Sequence, residues 1–263
     1  MGTSSEETSP ARRPSPLAPR QPSSDAALVI FAKAPIPGAV KTRLCPPLTP
    51  DEAATLHGTF VLDVLEQTRQ AVTKGRLPVD RYLACAPASD HVFFQIMEER
   101  QGVRLLDQIG QDLGARMHQV FTTLFLHGYQ RVIIIGTDAP TLPQSTYQEA
   151  FALLRAHDLV LGPALDGGYY LIGLKRPVPE LFAEIPWSTD QVLQLTRKKA
   201  AELGLSVATL KEWRDIDTID DLRALIEDCA ADAKRPRQNR ILSMRTAGTL
   251  QLLAKRLPAR SGI

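Results

Sequence analysis

Four short stretches of this 263-residue chain combine cations, carboxylates and glycines in patterns that suit chemistry on a phosphorylated substrate. Residues 31–44 read FAKAPIPGAVKTRL and carry Lys33, Lys41 and Arg43. Pro35 and Pro37 stiffen that segment and Gly38 lets it turn sharply. Its cations can donate charge-assisted hydrogen bonds to phosphate oxygens, although a stiff turn with solvated charges has the same composition. Residues 132–140, VIIIGTDAP, lead four apolar residues into Gly136, Thr137 and Asp138. A carboxylate facing a diphosphate makes sense if a divalent ion lies between them, since Mg²⁺ takes one or two protein carboxylates plus phosphate oxygens. The competing role for Asp138 is a helix N-cap before Pro140. In Arg214-Asp215-Ile216-Asp217-Thr218 the two acids share a side if the segment is extended. One of them could complete a metal site, or Asp217 could only cap the next helix. In residues 161–173, LGPALDGGYYLIG, the tripeptide Asp166-Gly167-Gly168 reads as a tight hairpin turn. The two glycines also permit close approach of a ligand, and Asp166 could orient or deprotonate an acceptor hydroxyl.

Two further residues are candidates. Arg116, in QDLGARM, opens a helix and could reach a ligand or be a surface charge. Trp187, in PWST, could stack on a sugar or base or pack into the core. The five histidines are scattered without HExxH spacing, and no GxSxG elbow, Walker A loop or GxGxxG fingerprint is present.

These side chains need a scaffold, and the apolar pattern describes one. Runs at 27–32, 82–86, 103–106, 132–135, 159–161, 169–174 and 207–210 read as buried strands. Thr49-Pro50-Asp51-Glu52 is a capping box that opens a helix to about residue 75, with Leu56, Phe60, Val64 and Leu65 on one face. Residues 113–127 have Met117, Val120, Phe121, Leu124 and Phe125 at helical spacing. Ser188-Thr189-Asp190-Gln191 reads as another capping box, with its helix ending near Gly204, and a last domain helix spans 218–228. Alternating strands and helices imply a mostly parallel sheet covered on both faces. Ligands bind at the carboxyl edge of such a sheet, where both the cationic loop and GTD fall.

Composition narrows the partners. Hydrophobic residues make up 44% and the net charge is only +2, which supports a real core and gives no support to nucleic acid as a partner. Cys45, Cys85 and Cys229 are far apart, so neither a disulfide framework nor a zinc knuckle is expected, and a reducing, cytoplasmic compartment fits. No apolar run is long enough to span a bilayer. Residues 1–25 are rich in Pro, Ser and charge, lack a secretory apolar region and read as a disordered extension. Residues 26–229 form the expected catalytic domain. Residues 230–263 form a basic tail with Lys234, Arg235, Arg237, Arg240, Arg245, Lys255, Arg256 and Arg260, and no acid after Asp232. Ile241, Met244, Leu250, Leu253 and Leu257 could make one apolar helix face there, either loosely docked or offered to a membrane or partner.

The segments FAKAPIPGAVKTRL, QDLGARM, IIIGTDAPTL, LVLGPALDGGYYLIGL, IPWSTDQVL and DIDTIDDL occur in this order over about residues 27–226. Together they resemble the bacterial DUF2064 family, also called transferase 1 of the rSAM/selenodomain-associated group, whose members are described as arsenosugar-biosynthesis glycosyltransferases. That family is similar to the GT-A nucleotide-diphospho-sugar transferases. The resemblance therefore implies a three-layer αβα sandwich with a mostly parallel mixed sheet and a nucleotide under the first βα loop. It also implies a Mg²⁺ or Mn²⁺ ion held by Asp138, with Asp217 as second ligand. The cationic loop is similar, too, to the AKxRL segment of 2-phospho-lactate guanylyltransferases, which transfer a nucleotidyl group. The DxD of many GT-A glycosyltransferases is absent, since GTDAP has a single acid.

The expectation is a metal-dependent transferase using a nucleotide-activated donor, foremost a glycosyltransferase with a small-molecule acceptor. Lys33, Gly38, Lys41, Arg43 and Thr137 would meet the nucleotide phosphates. Asp138 and Asp166 would be catalytic, and Gly167, Gly168, Arg116 and Trp187 would shape the acceptor side. Two alternatives are a nucleotidyltransferase joining an NTP to a small phosphorylated acid, and a non-catalytic nucleotide-binding protein whose tail docks on a partner.

Overall fold

The structure is a computed structural model that describes residues 22–236 and 241–257. Its strands are β1 (Ala26–Lys33), β2 (Asp80–Ala86), β3 (Arg104–Asp107), β4 (Arg131–Ile135), β5 (Leu159–Pro163), β6 (Tyr169–Leu174) and β7 (Val207–Thr209). Its helices are α1 (Pro50–Thr73), α2 (Val92–Gln101), α3 (Leu113–Leu126), α4 (Gln144–Ala156), α5 (Val192–Glu202), α6 (Ile219–Asp232) and α7 (Met244–Ala254). The seven strands form one sheet in the order β3-β2-β1-β4-β6-β5-β7. All are parallel except β6, which runs against both β4 and β5. No described helix is long and apolar enough to cross a membrane.

The central strands are apolar on both sides because both sides are covered. Along β1, Leu28 and Ile30 enter one core with Val61 and Leu65 of α1, Phe94 of α2 and Tyr147 of α4. The alternate residues Ala27 and Val29 enter a second core with Val120 and Phe121 of α3 and Ala200 of α5. This two-residue alternation makes three layers. A third cluster joins Leu56 and Phe60 of α1 to Leu222 and Leu225 of α6 and Leu250 and Leu253 of α7.

The start of α1 follows the expected capping box. Thr49 Oγ1 accepts the Glu52 N–H and the Glu52 carboxylate accepts the Thr49 N–H. The second expected box, at Ser188–Gln191, does not form. Instead α5 begins at Val192 with Gln191 at its cap, Ser188 has φ 67°, and the Thr189 hydroxyl donates to the Pro186 carbonyl at 2.7 Å. A tertiary contact takes the place of the cap, because the Leu193 N–H donates to the Gly167 carbonyl at 2.9 Å. Most of the expected N-terminal extension lies outside the described residues. Residues 22–25 are tied to the sheet, where the Ser23 N–H donates to Asp80 and Asp25 pairs with Arg131.

Candidate active site

Four connections meet at the carboxyl edge of the sheet. The first leaves β1 after Lys33 and is pinned by the Ala34 N–H donating to the Ala86 carbonyl at 2.8 Å. Gly38 turns it with φ 79° and open space on its Cβ side. Lys41 then adopts the left-handed region, with φ 49°, just before a 3-10 turn at Thr42–Leu44. A lysine there costs of order 1–3 kcal/mol and persists only where its surroundings over-determine it.

The Lys41 side chain supplies that determination. Its ammonium donates to the Ile216 carbonyl at 2.6 Å and to Asp217 Oδ1 at 2.8 Å, and it lies 2.5 Å from Asp138 Oδ1. Three oxygens thus surround a group that has three protons to give. The side chain is 4% exposed, whereas those of Asp138 and Asp217 are 42% and 33% exposed. Burial alone would lower the Lys41 pKa, but the two carboxylates outweigh it and hold the ammonium above its ordinary range. Burial likewise raises Asp138, and Lys41, followed by His57, overcomes it, so this carboxyl sits below its ordinary range.

Backbone hydrogen bonds explain why the two acids meet. The Ile216 N–H donates to the Asp138 carbonyl at 2.9 Å, which joins the end of β4 to the segment before α6. Neither acid caps a helix. The residue at the N-cap of α4 is Pro143, and α6 is capped by Thr218 with Asp221 in a reciprocal box. The helix-cap role open to Asp138 and Asp217 in the sequence is therefore absent.

The β5–β6 turn brings in Asp166, whose Oδ1 accepts the Gly168 N–H at 2.8 Å. Carboxylate oxygens of Asp166, Asp215 and Asp217 lie within 4.8 Å of one another. Burial, then Asp166 and Asp217, push Asp215 up to about 7. The sequence pattern leaves either Asp215 or Asp217 able to complete a metal site, and the family resemblance implies Asp217. The alternate residues Arg214 and Ile216 line a cavity of about 260 Å³ together with Leu165 and Trp213.

The remaining expected residues are placed as follows. Lys33, at the end of β1, and Arg43, in the 3-10 turn of the first loop, are exposed, and neither makes an ion pair among the described residues. Thr137 is buried. Gly167 has φ 88° and lies so close to Asp190 that an added Cβ would stand 2.1 Å from its carbonyl oxygen. The Arg116 Nε–H donates to the Gly110 carbonyl at 3.1 Å and so holds the β3–α3 loop. Trp187 stacks on Phe182 at 6.4 Å and covers Gly114, where an added Cβ would stand 2.3 Å from the indole. Both residues therefore make structural contacts rather than contacts to the carboxylates.

His57 is a residue that the sequence did not mark. It is 5% exposed, and its Nε2–H donates to the Lys33 carbonyl at 3.0 Å, so α1 grips the start of the cationic loop. Burial, only partly opposed by Asp138, lowers its pKa.

Residues 69–189 match the family model of DUF2064, described as an uncharacterized protein conserved in bacteria. A crystal structure from Desulfovibrio desulfuricans G20, of a protein named provisionally as a nucleotide-diphospho-sugar transferase, is 33% identical. That alignment covers 88% of this chain and 95% of the other, with a TM-score of 0.73. CMP:2-keto-3-deoxy-manno-octonic acid synthetase complexed with CTP is 14% identical over 78% of this chain and 99% of that one, with a TM-score of 0.48. Rv0371c from Mycobacterium tuberculosis H37Rv, in complex with manganese, is 19% identical over the same two shares, with a TM-score of 0.47. No protein of curated function matches the sequence. The Desulfovibrio relative shares the three-layer α/β architecture expected from the strand–helix pattern.

Proposed function

This chain belongs to the DUF2064 family, and from that premise we propose a metal-dependent transferase that uses a nucleotide-activated donor. The foremost reading is a glycosyltransferase that moves a sugar from a nucleotide-sugar to a small-molecule acceptor. One observation carries it: Lys41, Asp138 and Asp217 converge within 2.5 and 2.8 Å at the carboxyl edge of the sheet. The name given to the Desulfovibrio relative supports the same substrate class.

The donor set fits a hard divalent ion. Asp166, Asp215 and Asp217 offer carboxylate oxygens within 4.8 Å of one another, and Asp215 is raised to about 7 first by burial and then by the negative charge of the other two. Mg²⁺ and Mn²⁺ suit such oxygens. Asp138 and Asp217, which share Lys41, would hold the ion, with Asp166 and Asp215 beside Asp217. When bound, it supplies neutralisation of the charge that grows on the leaving phosphate.

The other roles belong to the side chains. Lys33, at the end of β1, and Arg43, on the first loop, are exposed and free to take phosphate oxygens. Lys41 balances the charge of Asp138 and Asp217, and its long stem would let the ammonium reach phosphate oxygens. His57 fixes the Lys33 carbonyl and with it the course of the loop. Asp166, steadied by the Gly168 N–H, is positioned to accept the proton of an acceptor hydroxyl. Nucleotidyl transfer is the second reading, favoured by the single acid of GTDAP in place of a DxD pair.

Titration calorimetry with UDP- and GDP-sugars, with and without Mn²⁺, tests the proposal. Metal-dependent binding is expected, and no binding of any nucleotide would refute it. Release of pyrophosphate from mixed NTPs would select nucleotidyl transfer. Asp138→Ala should reduce turnover by roughly 10²–10³-fold, the loss typical of a charge-stabilising group.

A further inference from the structure

The charge of the chain is sharply divided. Of 31 cations and 29 acids, eight cations and no acid lie after Asp232. The residues up to Asp232 therefore carry a formal net charge of −6, and those beyond it +8. Within the basic part α7 is held firmly to the domain. Leu250 and Leu253 are buried against α1 and α6, and the buried Asp63 carboxylate accepts from Ser243 Oγ, Thr246 Oγ1 and Arg245 at 2.8, 2.5 and 2.9 Å.

The outer face of α7 exposes large apolar side chains beside the polar Gln251 and Arg245, where a surface helix is usually polar throughout. Met244 is 75% and Leu252 66% exposed, and Ile241, just before the helix, is 49% exposed. Residues 244, 248 and 252 follow the four-residue spacing that aligns side chains along a helix, and Gly248 leaves the middle of that line bare. Lys255 is exposed three turns from Met244 on the same face, while Arg245 and Arg256 border it, about half exposed even though they pair with Asp63 and Glu52. Lys234 is exposed ahead of the helix.

We propose that this face of α7, with the basic residues around it, docks on an anionic lipid membrane. An apolar stripe bordered by cations suits the boundary between headgroups and acyl chains. Each cation near an anionic leaflet adds attraction, and the net negative remainder of the molecule is repelled, so the tail side is turned toward the lipid. Residues 233–263 contain no Phe, Tyr or Trp, so the stacking platform of a single-stranded nucleic-acid site is missing. The inference does not depend on the transferase reading.

Co-sedimentation of the full chain with vesicles tests it, comparing equimolar phosphatidylglycerol and phosphatidylcholine with phosphatidylcholine alone. At low salt, binding to the anionic vesicles should be at least about tenfold stronger, and high salt should weaken it. Met244→Asp with Leu252→Asp, both at exposed positions, should abolish binding with an unchanged melting temperature. Lys234→Glu with Lys255→Glu should weaken it by about tenfold or more. Failure to bind anionic vesicles would overturn the proposal. So would undiminished binding by the Met244/Leu252 variant, or RNA binding that is as tight as vesicle binding and equally sensitive to that variant.

Discussion

Lys41→Met removes an ammonium with little change in shape and leaves Asp138 facing Asp217. At 2.5 and 2.8 Å, each ion pair is worth about 1.5 kcal/mol in water and about 6 kcal/mol at an effective dielectric near 20. Desolvation of the ammonium offsets much of that attraction. Removing one partner of a buried pair typically costs about 3–5 kcal/mol. Here the two acids are 42% and 33% exposed and can recover water, so the expected loss falls to about 2–3 kcal/mol. For a domain of this size that lowers the melting temperature by about 5–10 °C. The same vacancy of charge should favour a divalent ion. Without nucleotide, Mn²⁺ should bind the variant at least about tenfold more tightly than the parent, because no ammonium has to leave first. Saturating Mn²⁺ should therefore restore most of the lost melting temperature in Lys41→Met while moving the parent little. Calorimetry and thermal melts read both effects. A variant that melts like the parent, or Mn²⁺ shifts of equal size in both proteins, would refute the reasoning.

Asp215 provides a test in pH. Its folded pKa, about 7, stands above the ordinary 3.8, so the folded state holds the extra proton between those values and stability should fall as pH rises through that window. Asp215→Asn should flatten this fall in melts taken from acid to neutral pH; an unchanged profile would contradict the clustering of the three acids. Gly114→Ala, normally favourable in a helix, should instead destabilise by about 1–3 kcal/mol because the indole fills the space, and Trp187→Ala should relieve the penalty in the double variant. Asp63→Ala strips three donors of their acceptor and should cost about 2–4 kcal/mol, with early proteolysis at the α7 end as the readout.

All seven strands were legible: burial on both faces makes most of the inner ones nearly continuous apolar runs, and the short edge strands β3 and β7 still carry apolar residues. Two helices, α2 and α4, were not named from the sequence. The first is capped by a histidine ring, His91, and the second follows Pro143 without any side-chain cap, so neither has the usual start signal. The Ser188 box misled for the opposite reason, since suitable residues were present and a contact from Gly167 set the helix start. Asp138 and Asp217 could be singled out by their positions after strand patterns. The place of Lys41 could not, because residue type suggests phosphate, while its contacts depend on a left-handed backbone at 41 and a carbonyl at 216. The raised pKa of Asp215 comes first from burial and then from Asp166, on a hairpin tip about fifty positions earlier in the chain, so neighbouring sequence gave no sign of it. His57 lay hidden among apolar helix residues whose spacing gave no hint of a carbonyl partner.

The reversal of β6 decides which connection reaches the ligand side of the sheet. A purely parallel sheet would send the chain back through a helix after β5 and leave no hairpin on the ligand side. Running one strand backwards delivers a short, exposed turn to that side, bearing Asp166 on a two-strand stalk. The tip is thus held by pairing that is separate from the β1–β4 register, after which Lys41 and Asp138 follow on their own loops.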